Sequence, residues 1–188
     1  MVHKDVICAS SKFFKAACSQ RWAEGKKKKV SLPEVEPKIF QSYVAWLYSG
    51  SYQIQACKDD SEDAKDSALD AAVELYLLGD VLDDICFRNK MMEIQVCNGL
   101  GCCPSTKTLE KLWNRTPPTS LIRKIYVERF IMRRSREAFA KLVASYPAEL
   151  VQEIAVAALM QTEMSNAECF TSKLAKFLEP VPEDGWSA

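Results

Sequence analysis

Residues 2–14 read Val-His-Lys-Asp-Val-Ile-Cys-Ala-Ser-Ser-Lys-Phe-Phe, and residues 40–50 read Phe-Gln-Ser-Tyr-Val-Ala-Trp-Leu-Tyr-Ser-Gly. In the second stretch apolar residues recur at helical spacing, and Pro37 and Gly50 lie where a helix begins and ends. In the first stretch Phe13 and Phe14 follow two serines, a pattern that suits a short helix with one buried face. The two stretches therefore predict a helical framework for the N-terminal half of the chain.

The residues around this framework predict smaller elements. Short apolar alternations of period two at 30–32 and 52–54 predict two brief strands. The polar, acidic stretch 58–67 predicts a loop. Next, an apolar helix is expected to end at Gly79, and Asp80 is expected to cap the helix that follows.

Composition excludes several classes of protein. The 188 residues are 48% hydrophobic and carry 25 basic and 25 acidic side chains, as in ordinary globular proteins, which disfavours a broad nucleic-acid-binding face. No apolar run approaches the roughly 20 residues that a membrane-spanning helix needs. The eight cysteines follow no secretory leader, so we expect reduced thiols and an intracellular protein, located in the cytoplasm, the nucleus or both.

The motifs at 2–14 and 40–50 resemble those of the BTB (POZ) domain. In that family a Val-His-Lys begins the first helix, a Ser-x-Phe/Tyr-Phe follows, and a helix of the form F-x-x-x-x-x-W/Y-L/I-Y-S/T-G ends in a tight turn. The resemblance covers roughly residues 2 to 97 and implies a non-enzymatic module that binds other proteins. Because the family places a strand hairpin before its Val-His-Lys, the resemblance also implies an N-terminally truncated domain.

A change of composition divides the chain. Two glycines and a proline interrupt the helical pattern between Asn98 and Ser105, as in a linker. We therefore predict a BTB/POZ-like domain at residues 1–98, of α+β class and mostly helical with a small sheet, followed by an all-helical extension at residues 105–188. In the extension, Arg123 and Arg129 fall on the polar side of an amphipathic helix.

The aromatic residues near Gly50 supply candidate binding residues. Tyrosine and tryptophan are favoured at interface hot spots, and Tyr43, Tyr48 and Tyr52 are the candidate partner-binding residues. The resemblance implies that this helix contributes to a surface that docks cullin scaffold proteins in ubiquitin ligases, yet the acidic residue of that docking signature is missing between Lys38 and Gln55. We expect a scaffold or dimerisation domain that forms homo- or hetero-dimers, with a cullin-ligase substrate adaptor as the alternative.

The sequence predicts no catalytic, cofactor or metal site. His3 is the single histidine, which excludes most histidine-dependent constellations, and the chain has neither a C-x-x-C pair for zinc nor a G-x-x-x-x-G-K-[ST] loop for nucleotides. One further alternative stays open. A small thiol-dependent redox protein would use Cys102 and Cys103 and would need a thiol of lowered pKa.

Overall fold

A computed structural model describes residues 2–19, 29–51, 62–98, 104–133, 136–160 and 170–181. Within these ranges the regular elements are helices. The α-helices are α1 (Lys4–Ser10), α2 (Lys12–Ala17), α3 (Pro37–Ser49), α4 (Glu62–Val81), α5 (Ile85–Asn98), α6 (Thr106–Arg115), α7 (Leu121–Arg133), α8 (Arg136–Leu142) and α9 (Ala148–Met160), and two 3-10 helices span Val143–Ser145 and Phe170–Phe177.

The described residues group into two compact units. Unit 1 takes its residues from Met1–Gln55, Glu74–Met91 and Glu179–Ala188, and unit 2 takes its residues from Ala56–Val73 and Met92–Leu178. Helices α4 and α5 therefore contribute residues to both units. The predicted domain bounds at residues 98 and 105 stay a prediction.

Helix α3 lies at the centre of unit 1 and confirms the prediction made from its sequence. Pro37 occupies its first turn, and Gly50 closes it with φ 64° and a backbone N–H bond of 2.9 Å to the Trp46 carbonyl oxygen. That left-handed conformation favours glycine because it has no Cβ. The buried side of α3 packs the Tyr43 and Trp46 rings against Phe87, each pair with ring centroids 4.9 Å apart.

The mostly helical class is confirmed, whereas the predicted small sheet is not. Residues 30–32 form no strand in the structure, and residues 52–54 lie outside the described part of the chain. A strand exists only where its backbone hydrogen bonds are shared with a neighbour. The apolar alternation at 30–32 therefore does not by itself make a strand, and among the described residues no partner strand accompanies it.

Two expectations for the region after residue 58 are wrong. Helix α4 begins at Glu62, inside the stretch predicted as a loop, since acidic residues are stabilised by the helix dipole in a first turn. It also continues past Gly79 to Val81. Gly79 makes room instead of ending the helix, because a Cβ there would lie 2.9 Å from Arg88 Cγ and 3.1 Å from Phe87 Cδ1.

Replacing Gly79 by alanine will destabilise the protein, although alanine is the better helix former. The propensity gain is about 1 kcal/mol, whereas forcing a methyl group into a filled site costs typically about 1–3 kcal/mol. Arg88 and Phe87 are buried and cannot move aside cheaply. We expect a lower thermal midpoint than wild type, and a raised midpoint would contradict this packing. Ala45→Gly, on the exposed side of α3, is the control: it makes the opposite exchange at a site without packing constraints and so measures the effect of helix propensity alone.

Unit 2 is built around α7, which packs against α9 and the 3-10 helix Phe170–Phe177. Its aromatic core pairs Phe130 with Tyr146 at 5.1 Å between ring centroids and with Phe139 at 6.1 Å. Two arginines of α7 are also inside: Arg123 is 2% exposed and Arg129 is 3% exposed. The side of α7 that the sequence marks as polar is therefore partly buried.

Candidate functional site

Asp84 is the polar centre of unit 1. Its side chain has 0% exposure, and its Oδ1 accepts the backbone N–H of Phe87 at 2.9 Å, which makes Asp84 the N-terminal cap of α5. Its Oδ2 accepts a hydrogen bond from the Tyr43 hydroxyl at 2.8 Å and another from the Ser10 hydroxyl. The cap predicted at Asp80 was wrong by one helical turn, and the observed cap ties the start of α5 to the end of α1 and to the middle of α3.

Ser11, the residue after Ser10, also links a helix end to the turn before α5. Its hydroxyl is buried, donates to the Leu82 carbonyl oxygen at 2.5 Å and accepts the N–H of Phe14 at 3.1 Å. It thus caps α2 and binds the loop before α5 at the same time. The adjacent serines therefore connect α1 and α2 to the turn that carries Asp84.

Burial raises the pKa of Asp84 above its usual value, although the hydrogen bonds from Ser10, Phe87 and Tyr43 act in the opposite direction. Burial, followed by the nearby Asp84 carboxylate, also raises the pKa of Tyr43. A raised tyrosine pKa means that the hydroxyl stays protonated and keeps donating. Because Asp84 is fully buried, the network supports the fold from within unit 1 and its carboxylate does not face solvent.

Tyr48 lies on the opposite, exposed side of α3. The residue is 50% exposed, yet its hydroxyl is held by His3, whose backbone N–H donates to it at 2.9 Å and whose Nδ1 lies 2.7 Å away. The two rings also meet edge to face, with centroids 5.8 Å apart. Ala45 and Gln41 are exposed one and two turns before Tyr48, and these three residues are called the Tyr48 face below.

Comparison with known proteins identifies a domain in the N-terminal half of the chain. Residues 1–89 match the family model of the BTB/POZ domain. The chain carries a BTB/POZ domain. No curated protein and no solved structure matches the chain. BTB/POZ domains are generally protein–protein interaction modules and typically have no enzymatic activity.

The structure gives each motif of this BTB/POZ domain a physical role. His3, from Val-His-Lys, fixes the hydroxyl of Tyr48. Ser10 and Ser11 bind the turn before α5, and Phe14 joins the aromatic core, with its ring centroid 6.2 Å from that of Phe40. The motif residues are distant in sequence and meet in unit 1.

The three predicted partner-binding tyrosines do not share one surface. Tyr43 has 0% exposure and supports Asp84 from within the core, Tyr48 is half exposed, and Tyr52 lies outside the described residues. The burial of Tyr43 is an argument against direct contact with a partner. Partner binding by these tyrosines stays a prediction. Of the two that the structure describes, Tyr48 is the one with an exposed surface.

The thiols of Cys8 and Cys86 are not activated. Burial, and then the neighbouring Cys18, raises the pKa of Cys8 to about 11, and burial raises the pKa of Cys86. Such thiols stay protonated and unreactive at neutral pH. Cys102 and Cys103 lie outside the described residues, so the redox alternative is not tested by this structure.

The described ranges contain neither a metal-binding cluster nor a membrane-spanning helix. Within them, no set of three or more histidine, cysteine, aspartate or glutamate side chains is placed to hold a metal ion. None of the helices described there combines the length and apolar character needed to cross a membrane.

Proposed function

We propose that this chain is a non-enzymatic protein-binding scaffold whose BTB/POZ domain self-associates through the Tyr48 face. The observation that carries the proposal is that Tyr48 is 50% exposed while its hydroxyl is bound by His3. An exposed aromatic ring with its polar group already satisfied buries area in a partner without stranding a hydrogen-bonding group.

Fixing the ring in advance also lowers the cost of association. Ordering a side chain at an interface costs about 0.5–1.5 kcal/mol, and the two contacts with His3 remove part of that cost before any partner arrives. Ala45 is small, so a partner can approach α3 closely one turn from the ring. Two copies related by a two-fold axis would bring the same face together, as most homodimers do.

The Tyr48 face alone is too small to form a stable interface. Stable interfaces bury roughly 800 Å² on each partner, so exposed residues around the face must contribute. Among the described α-helical residues of unit 1, Val81 is the other large apolar residue that is strongly exposed, at 49%. In the proposed interface Tyr48 takes the central position, and the exposed residues around it form the rim.

Replacing Tyr48 by alanine will weaken self-association at least about tenfold, because truncating a central aromatic anchor costs about 2 kcal/mol or more. Sedimentation velocity over a dilution series gives the two dissociation constants. Lys38→Ala, an exposed change at the start of the same helix, is the matched control and should behave as wild type. Equal dissociation constants for wild type and Tyr48→Ala would exclude this face.

The alternative is a substrate adaptor for a cullin-based ubiquitin ligase. Its support is that the resemblance places cullin docking on this helix and that α3 keeps an exposed aromatic residue. Mixing the chain with a cullin N-terminal domain separates the two proposals. A stable complex that Tyr48→Ala abolishes would favour the adaptor, whereas self-association without cullin binding would favour the scaffold.

A further inference from the structure

Arg88 and Asn89, at the start of α5, hydrogen-bond to Glu179 in the C-terminal segment of unit 1. Arg88 Nε donates to Glu179 Oε1 and Arg88 Nη2 donates to Oε2, both at 2.5 Å. The Asn89 side chain donates to the backbone oxygen of Glu179 at 2.8 Å and accepts its backbone N–H at 2.8 Å. Arg88 and Asn89 are called the Glu179 clasp below.

The clasp binds Glu179 as a protein binds a peptide ligand. Paired bonds from an amide side chain to both the N–H and the C=O of one residue fix an extended backbone, as a neighbouring strand would. A forked arginine–carboxylate pair adds selection for an acidic side chain. Pro180 follows Glu179 and disfavours helical backbone at the bound residue, which keeps the segment extended.

The bound residue lies at the surface, whereas the clasp is built into the fold. Glu179 retains 26% side-chain exposure and Val181 is 46% exposed, but the Arg88 side chain is only 9% exposed. Asp80 and Asp83 carboxylates lie 3.5 Å and 3.8 Å from Arg88 Nη1, which also donates to the Gly79 carbonyl oxygen at 3.4 Å. Release of Glu179 would therefore leave the buried charge of Arg88 compensated and the clasp oriented.

We propose that the Glu179 clasp is a binding site for an extended segment of a partner protein that carries glutamate before proline. The C-terminal segment of the chain fills this site in the isolated protein and competes with the partner. The site is separate from the Tyr48 face, so it does not depend on self-association. Effective concentrations of tethered segments reach the millimolar range, so a competing peptide binds more weakly to wild type than to a chain whose own segment is impaired.

The test uses the chain of 188 residues and a fluorescent peptide Phe-Leu-Glu-Pro-Val, the sequence of residues 177–181. We expect fluorescence polarisation to give at least about tenfold tighter binding to the Glu179→Ala chain than to wild type. The peptide with glutamine in place of glutamate should bind at least about tenfold more weakly, because the forked charge pair is lost. Adding Asn89→Ala to Glu179→Ala should also weaken binding.

Circular dichroism establishes that each variant is folded, and Glu179→Gln, which keeps the main-chain contacts, replaces Glu179→Ala if the latter unfolds. Equal affinity of the peptide for wild type and the Glu179 variant would overturn the proposal. So would the absence of binding to the folded variant at millimolar peptide, or equal binding of the glutamate and glutamine peptides. Each of these results would mean that Arg88 and Asn89 only stabilise the fold of this chain and bind no partner.

Discussion

Replacing Asp84 by alanine will lower the free energy of unfolding by about 3 kcal/mol, since a lost helix cap costs about 1 kcal/mol and the stranded hydroxyl of the buried Tyr43 about 1–3 kcal/mol. The carboxylate caps α5 through the Phe87 N–H and accepts the hydroxyls of Tyr43 and Ser10. Alanine satisfies none of these three donors. A loss of this size is a large part of the roughly 5–15 kcal/mol that stabilises a typical domain.

Urea unfolding followed by circular dichroism gives this free energy. Asp83→Asn is the matched control because it removes a charge from the adjacent, half-exposed residue and keeps a side chain that tolerates its positive φ of 46°. Asp83 is half exposed, and Arg88 keeps Asp80 and Glu179 as partners without it, so the control should lose no more than about 1 kcal/mol. Similar losses for the two variants would mean that the Asp84 network does not hold unit 1 together.

The same carboxylate makes stability depend on pH. Burial raises the folded-state pKa of Asp84, so between the ordinary aspartate value of about 3.9 and the raised value the folded chain binds more protons than the unfolded chain. Stability from this group is therefore lost as the pH rises through that window. The free energy of unfolding of wild type minus that of Asp84→Asn should fall as pH rises from about 4. A constant or rising difference would contradict the assignment.

Replacing Arg123 by methionine will cost about 3 kcal/mol, because it leaves buried backbone carbonyl oxygens without their donor, at about 1–3 kcal/mol each. Arg123 is 2% exposed, and its Nη1 donates to Glu149 at 3.0 Å and to Glu153 at 2.9 Å. It also donates to the backbone oxygens of Trp113 and Thr116 and lies over the Trp113 ring, 5.3 Å from its centroid. Methionine fills the space of the stem but leaves the buried backbone oxygens without a donor, whereas the Glu149 side chain, which is 64% exposed, is solvated by water.

Lys124→Met is the matched control, because Lys124 is exposed and directly follows Arg123 on α7. The control should change the free energy of unfolding by no more than about 0.5 kcal/mol. Arg123→Lys should recover only part of the loss, since one ammonium group cannot reproduce the forked geometry of a guanidinium. Full recovery with lysine would show that charge alone matters at this position.

Elements with local start and stop signals could be predicted from the sequence. Helix α3 is the best case, since Pro37 and Gly50 act through their own backbone preferences. The cap of α5 could not be chosen in the same way, because Asp80, Asp83 and Asp84 are equally good capping residues by type. The choice falls on Asp84 through its contacts with Tyr43 and Ser10, which are 41 and 74 residues away.

The candidate site shows the same limit. The sequence pointed to the aromatic residues of α3 but could not separate Tyr43, whose hydroxyl is bound in the core, from Tyr48, whose hydroxyl is bound by His3 at the surface. Arg123 was predicted on a polar side for the same reason. Its carboxylate partners come from α9, and helical periodicity carries no information about a second helix.

The molar mass of the purified chain, measured by light scattering over a range of concentrations, tests the central claim most directly. The scaffold account predicts a species of twice the 21.2 kDa chain mass that dissociates on dilution, and a mass near 21.2 kDa for Tyr48→Ala at the same concentrations. A wild-type mass of 21.2 kDa at every concentration would contradict self-association through the Tyr48 face.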